Sequence, residues 1–346
     1  MNNAEFELVG IGNALVDIFA SLKSDSSTIS PDMSSLSSFR HISPDQLAEL
    51  VRQLPSPKLC AGGGAANTVK LAAQLGVTTA FIGSVGQDDW GKLFARELEN
   101  AGTKPLLVYT DKPTGGCVIL NGDGIEPRIA ASPSAALELG PEDIDEDHIR
   151  WARLIMIDGY ILDRTALVDH VLKLAERHGT FIAIDAGSAH IVRACADRLE
   201  TYCRTKPLML FLNEAEARVF CAHLEPRLEL LSTADLDEED RYRPLQDLTK
   251  QDIFPIIALK LGEQGGRVYA KGEAYIAPTQ AIVPFDTTGA GDAFAAGFIA
   301  AWLRDRSLTD CAELGNQLAR EIIRIHGTKI EAKKLARYRR ILSQPM

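Results

Sequence analysis

The residues best suited to chemistry are the string Asp286-Thr287-Thr288-Gly289-Ala290-Gly291-Asp292 and the apolar run over 293–303 that follows it. That run is apolar all round, which predicts a buried helix rather than an amphipathic surface one. The first N–H groups of a helix lack intrahelical partners and carry the positive end of its dipole. With Gly289, Ala290 and Gly291 at that end, an anion can approach bare backbone. A carboxylate at Asp292 on the rim of the cradle is placed to take the proton from an attacking hydroxyl. Anion cradle plus carboxylate base is what phosphoryl transfer to an alcohol requires, since that chemistry is mostly positioning and charge stabilisation. The plainer reading makes Asp292 a helix cap and the glycines a turn.

Other polar clusters follow strand-like runs. Residues 6–12 read as a first strand, with Asn13 and Asp17 just beyond it. Gly10-x-Gly12 starts a dinucleotide fingerprint, but Leu15 stands where the third glycine belongs. Asn13 and Asp17 read better as the rim of a small-ligand site, where α/β sheets bind ligands. A turn with Asp17 capping something local is the alternative. Gly62-Gly63-Gly64-Ala65-Ala66-Asn67 opens a helix over 65–75, closed by Gly76. Consecutive glycines are entropically costly, so something must need that backbone close, and Asn67 faces whatever they admit. Sugar hydroxyls suit an amide, because each can donate and accept. Asn213 and Glu216, three apart at a helix start, share a face and suit a Mg²⁺ shell held through water, with local capping as the rival. Gly262 and Gly265 follow a strand over 256–259, as a loop against nucleotide phosphates would. Lys260, at the start of that loop, reads equally as a phosphate contact or a surface lysine. Gly86 to Lys92 has P-loop spacing. Leu93 replaces the required hydroxyl and two aspartates would repel phosphate, so that reading is rejected.

The elements that position these residues follow from periodicity. The 346 residues suit one large α/β domain or two smaller ones; a single domain over 1–346 is expected. Short apolar strands near 154–157, 180–184, 208–212 and 256–259 alternate with helices near 163–178 and 189–201. That alternation predicts a parallel sheet covered on both faces. Strands near 104–109 and 116–121, a turn at Asn121-Gly122-Asp123-Gly124 and a return near 128–130 predict a small antiparallel sheet. With the Ser-rich stretch 21–40 they form an expected lid from about 18–42 and 105–132. Ser43-Pro44-Asp45-Gln46 has the pattern of a capped helix start. Residues 223–242 read as a solvated acidic insertion. A second apolar helix over 308–326 ends at Gly327-Thr328, and a basic helix follows.

Composition narrows the function classes. Apolar residues make up 46% of the chain, and no run is long enough to span a membrane. The N-terminus lacks a secretory pattern. A net charge of -10 argues against nucleic-acid and anionic-membrane partners. Six cysteines are scattered without a Cys-x-x-Cys pair or a His cluster, as expected of free thiols in a reducing cytoplasm.

Asp-Thr-Thr-Gly-Ala-Gly-Asp-Ala-Phe resembles the C-terminal signature of the ribokinase (PfkB) family of sugar and nucleoside kinases. The resemblance runs from about Glu5 to Thr328, through Gly12-Asn13…Asp17, Gly62 to Asn67, Asn213-x-x-Glu216 and Leu261-Gly262-x-x-Gly265. It implies a Rossmann-like (ribokinase-like) α/β fold: a mostly parallel central sheet, helices on both faces, and a small β-sheet lid. It also implies ATP-dependent transfer of the γ-phosphate to a primary hydroxyl of a sugar or nucleoside. By this resemblance Asp292 is the base, with Gly289, Ala290 and Gly291 as the anion hole. Asn13, Asp17, Gly63, Gly64 and Asn67 would hold the acceptor. Asn213, Gly262, Gly265, Thr287 and Asn316 would line the ATP site. Glu216 would order Mg²⁺ through water, while Asp286 and Thr288, with carbonyls near Gly327, would help bind K⁺. The Gly86 to Gly91 stretch becomes a substrate-side structural loop.

Gly-Asn-Ala-Leu-Val-Asp and Asn-Glu-Ala-Glu look most like the bacterial adenosine-kinase-like branch. That branch usually carries Arg-Thr-Met and then Tyr-Leu-Gly-Ala after the lid hairpin. This chain has Pro127 to Ala135 without the aromatic, so sugar and nucleoside acceptors both stay open. The small-molecule partners are thus ATP and a sugar or nucleoside, with a homodimer through the lid as the expected assembly. The other function class is a non-catalytic sugar-, nucleoside- or nucleotide-binding regulatory protein on the same fold. An intact Asp292 with its glycines favours the enzyme.

Overall fold

The computed structural model describes residues 5–22, 39–122, 125–230, 237–250, 255–325 and 330–343. Side chains alternate across a strand, so strands apolar on both faces need cover on both. In the strand Leu208–Asn213, Leu208, Leu210 and Leu212 enter one core while Met209 and Phe211 enter the other. Ile155 and Ile157 divide from Leu154 and Met156 in the same way. The result is a nine-stranded sheet. Its order is Glu273–Ala277, Gly266–Ala270, Ile256–Lys260, Leu208–Asn213, Phe181–Asp185, Ala152–Asp158, Phe6–Ile11, Thr79–Gly86 and Thr103–Thr110. From Ile256–Lys260 onward all neighbours are parallel, and the two strands before it turn antiparallel.

Helices Thr165–His178, Ala189–Thr205 and Glu214–Leu224 cover one face. Gly64–Gln74, Ala290–Trp302, Leu308–Ile322 and Ala332–Ser343 cover the other. The first strand, Phe6–Ile11, lies mid-sheet, and the chain winds outward from it in both directions. Such a reversal opens a crevice at the carboxyl ends of the strands, which is where ligands bind in this architecture.

A second sheet of five strands runs Phe39–His41, Ile125–Ser134, Thr114–Gly122, Leu15–Leu22, Lys58–Gly62. Three features differ from the expectation. The sheet is mixed rather than antiparallel, since Leu15–Leu22 pairs parallel with Thr114–Gly122 and Phe39–His41 parallel with Ile125–Ser134. Residues 105–110, expected in the lid, belong to the edge of the large sheet, parallel to Thr79–Gly86. The helix Asp89–Ala101, ended by Gly102 at φ 87°, is the crossover that returns the chain to that edge. Lys58–Gly62, which no local pattern marked, completes the small sheet. Of the expected lid, 23–38 lie outside the described residues, as do Asp123 and Gly124 of its turn. Residues 231–236 of the acidic stretch and Gly327-Thr328 also lie outside them.

Local signals elsewhere match the fold. Ser43 and Gln46 form a reciprocal capping box at the start of Pro44–Gln53. Asp88 caps Asp89–Ala101, and its carboxylate also accepts from the Thr114 amide at 2.7 Å and the Thr114 hydroxyl at 2.6 Å. The rejected P-loop is therefore a brace between the two sheets.

The helix Ala290–Trp302 is buried along 293–301, as its all-apolar sequence predicted. Phe294 and Phe298 pack edge-on against Phe211, with centroids at 6.4 and 5.4 Å. It also packs on Gly64–Gln74, and it meets Leu308–Ile322 backbone on backbone. A Cβ built on Gly297 would lie 2.8 Å from the Leu314 carbonyl oxygen and 3.0 Å from Gly315 Cα. Gly297→Ala must therefore part the two helices, and the expected cost is about 1–3 kcal/mol, the range for overpacking. Urea unfolding of the variant checks this, and an unchanged midpoint would show that the helices are free to move apart.

Candidate functional site

Apolar parallel strands here end in polar residues. Asp158 and Asp185 close adjacent strands in register, and Asn213 and Lys260 close the next pair. Two helix N-termini meet this row, those of Gly64–Gln74 and Ala290–Trp302. Asp158 accepts from the Tyr160 amide at 3.0 Å, and the amides of Gly64 and Ala65 at the start of the first of these helices hold its proton affinity down.

The residues expected to hold the acceptor converge there. Asn67 Nδ2 donates to Asp292 Oδ2 at 3.0 Å, and Thr68 Oγ1 donates to the Asp292 carbonyl at 3.4 Å. Gly63 has φ 94°, a conformation side-chain-bearing residues avoid, and a Cβ on it would meet the Asn13 carbonyl at 2.3 Å. A Cβ on Gly62 would stand 2.2 Å from the Asp17 carboxylate, so the run of glycines is explained by what crowds it. A Cβ on Gly64 would lie 3.5 Å from Asp292 Oδ1. Asn13 Oδ1 is buried with no partner, an acceptor in need of a donor such as a hydroxyl.

Carboxylates dominate the electrostatics. Burial pushes Asp292 up to about 7, with Asp185 and Asp158 adding to the rise and Asn67 and Lys260 opposing it. Asp17 is raised by burial to about 7 against the pull of Lys70. Asp158 stands at about 6 through burial, despite its amide donors. Lys70 is itself buried, which holds its ammonium below the usual range, and it donates to the Ala61 carbonyl.

Beside this cluster opens a cleft of about 890 Å³, within the range of small-ligand sites. Asn213, Gly262, Gly265, Thr287 and Asn316 all line it, and Ala290 and Gly291 form its wall on the Asp292 side. Some polar groups there are already engaged. The Ala290 amide donates to the Thr287 carbonyl at 3.2 Å, which leaves Gly291 and Asp292 as first-turn donors. Asn316 Nδ2 donates to the Ala277 carbonyl at 2.8 Å. Gly289, at φ 77°, is the N-cap of the helix.

Asn213 and Glu216 form a reciprocal capping box, with Asn213 N–H donating to Glu216 Oε2 at 2.7 Å and Glu216 N–H to Asn213 Oδ1 at 2.9 Å. Glu216 is buried and raised to about 7, by burial first and then by Asp185, with Lys260 opposing. The local capping reading of this pair is thus correct as far as it goes. Asp286 is buried and accepts from the Thr288 amide at 2.9 Å; the carbonyls near Gly327 lie outside the described residues. Among the described residues no group of three or more His, Cys, Asp and Glu side chains is placed to hold a metal ion.

Sequence reasoning missed Asp158, Asp185 and Lys70, and left Lys260 undecided. The signal was available for the aspartates: each ends an apolar run at the carboxyl edge of a parallel sheet, where ligands bind.

A family model described as pfkB family carbohydrate kinase matches residues 34–335. An ATP-dependent ribose-1-phosphate kinase from Halopiger xanaduensis is 32% identical over 276 residues, covering 75% of this chain and 79% of its own. The adenosine kinase of Saccharomyces cerevisiae is 30% identical over 302 residues, covering 82% and 84%. The crystal structure of adenosine kinase from Sinorhizobium meliloti superposes with a TM-score of 0.82 at 25% identity, over 96% of this chain and 99% of that one. With the family model spanning most of its length and kinases among its relatives, this chain belongs to the pfkB family of carbohydrate kinases, phosphotransferases of sugars and nucleosides.

Proposed function

We propose that this chain transfers the γ-phosphate of ATP to a primary hydroxyl of an uncharged sugar or nucleoside, with Asp292 as the general base. The observation that carries the reading is the Asp292 carboxylate, fixed by Asn67 on a helix whose first turn borders the cleft. In the reaction the acceptor oxygen bonds to phosphorus and the bond from the γ-phosphate to the β-phosphate oxygen breaks. The electron pair stays on ADP, and the hydroxyl proton passes to Asp292. Gly291 and Asp292 amides stabilise the charge on the transferring group. Asn13 Oδ1 accepts from a ring hydroxyl, and Asp17 takes another. Gly63 and Gly64 keep the backbone close enough for both.

Asn213, Gly262, Gly265, Thr287 and Asn316 hold ATP in the cleft. Glu216, oriented by Asn213, would order the waters of a Mg²⁺, which when bound would neutralise the phosphates. Asp286 and Thr288 would contribute to a K⁺ site beside the anion hole. The exposed edge strand Phe39–His41 makes the small sheet the expected face of a homodimer. A cytoplasmic location without nucleic-acid or membrane partners fits the net charge of -10.

An uncharged acceptor is favoured because the charged groups acting on Asp17 are Asp286 and Lys70, and Lys70 is spent on the Ala61 carbonyl. An ATP-consumption screen across ribose, fructose, adenosine, inosine and cytidine, with ribose-1-phosphate alongside, should return a neutral acceptor. Turnover of the phosphorylated sugar alone would overturn that part of the reading.

Asp292→Asn keeps size and an oxygen to accept from Asn67 but cannot accept the proton. The expected loss in kcat is ~10²–10⁴, with nucleotide affinity little changed. A variant that melts like the wild type and turns over at its rate defeats the assignment of the base.

Because Asp292 stands at about 7 in the fold, kcat/KM should fall on the acid side with a midpoint near that value. Stability runs the other way. A carboxyl raised above its unfolded value of about 4 binds its proton more tightly when folded, so its contribution is full below that pH and lost as pH climbs through about 7. The melting temperature of the free protein should therefore drop between about pH 4 and 7, and less steeply in Asp292→Asn. A flat profile in both proteins would contradict the burial of the charge.

K⁺ should raise kcat over a bulky organic cation at matched ionic strength, and equal rates in the two would remove the monovalent site.

A further inference from the structure

Lys260 is set unusually for a lysine. It ends the strand Ile256–Lys260 and reaches across the neighbouring strand to Asp185, with Nζ 2.6 Å from Asp185 Oδ2. The two side chains are only 12% and 14% exposed. A Cβ on Gly291 would lie 3.2 Å from Lys260 Nζ, so the ammonium sits against the first turn of Ala290–Trp302. A cation at the positive end of a helix is unfavourable on its own. Burial also pulls the lysine toward neutrality, yet Asp185 and then Glu216 more than offset this and hold it charged.

A stabilising ion pair is a poor account of this arrangement. Buried pairs often contribute little net stability, and this one adds a cation where the helix dipole opposes it. It also lies in the wall of the cleft, beside Gly291. Two arginines share that cleft, but Arg218 is exposed and Arg320 Nη1 points to Gln280 Oε1 at 3.4 Å. The incoming triphosphate meets Asp185, Glu216 and Asp292 near the cradle, and Lys260 is the buried cation among them.

We propose that Lys260 is a catalytic residue that donates to the oxygen joining the β- and γ-phosphates, and that Asp185 is the positioning residue that aims its ammonium in the empty site. This rests on the phosphotransfer reading above. As the bridging bond breaks, its electron pair collects on that oxygen, and the ammonium stabilises the charge without giving up a proton. The acceptor proton still goes to Asp292, so Lys260 stays protonated throughout. Arrival of the phosphates adds an anionic partner on the helix side, where the empty protein has only the Asp292 carboxylate.

The test compares Lys260→Met with the double variant Lys260→Met/Asp185→Asn, which leaves no unpaired buried carboxylate and so stays informative if the single variant fails to fold. kcat should fall on the order of 10²–10³ in each, the size of losing one donor to a developing oxyanion. Calorimetric titration should show ATP binding weakened about 10- to 100-fold and adenosine binding unchanged, because only the phosphates meet the ammonium. Adenosine and ATP titrations need no turnover, so they report on Lys260 even if the acceptor assignment fails. A double variant with kcat and ATP affinity within about threefold of wild type would overturn the proposal. So would an equal loss of ATP and adenosine binding, the mark of a collapsed cleft.

Discussion

Gly297 pressed against Gly315 holds the helix Ala290–Trp302 inside the molecule, and the position of its N-terminus sets everything around it. The contact is between backbones, so no side chain can be exchanged to relax it. Phe294 and Phe298 fix the rotation of the helix by packing edge-on against Phe211 of the central sheet. The first turn therefore emerges at the carboxyl edge, between the cleft and the proposed acceptor cluster. A shift of an ångström there would separate Asp292 from Asn67 and Gly291 from Lys260.

Placing carboxylates at that edge is costly for the empty protein. Asp17, Glu216 and Asp292 are each raised to about 7 and Asp158 to about 6, because burial removes the water that would solvate their charges. Lys260 and Lys70 offset part of this from opposite sides of the cluster. The arrangement makes chemical sense as a site prepared for hydroxyls and for a phosphate chain with its counter-ions. A carboxyl whose proton affinity is raised is also a better base for an alcohol near neutral pH.

The small sheet is part of the proposed acceptor site. Leu15–Leu22 leaves directly from the end of the first strand of the large sheet, carrying Asn13 and Asp17 with it. Lys58–Gly62 pairs with it, setting Gly62 opposite Leu15, and runs straight into the helix that bears Asn67. Asp88, bonded to Thr114, braces the far side. Both sheets thus contribute to one polar cluster through short covalent connections, which explains why so many of its residues fall in compact motifs.

Those compact motifs are what the sequence by itself determined. The cradle at 289–292, the glycines at 62–64 and the loop from Gly262 to Gly265 are encoded by residues that fix backbone shape within a few positions, and each lies where its spacing indicated. The alternating apolar strands likewise specify a parallel sheet, since both faces of each strand must be covered. Tertiary structure alone decided the rest. Asn67 reads locally as a ligand for sugar, yet its amide is bonded to Asp292 across 225 residues of chain. Asp158 and Asp185 are single aspartates at strand ends, and only strand order makes them neighbours in register. Lys260 acquires its partner by reaching over an intervening strand. Residues 105–110 look like any short strand, and the crossover helix before them assigned them to the large sheet. Local propensity carries no information about which strand lies beside which. Burial of both sheet faces settles that order, and with it the charges that gather at the sheet's edge.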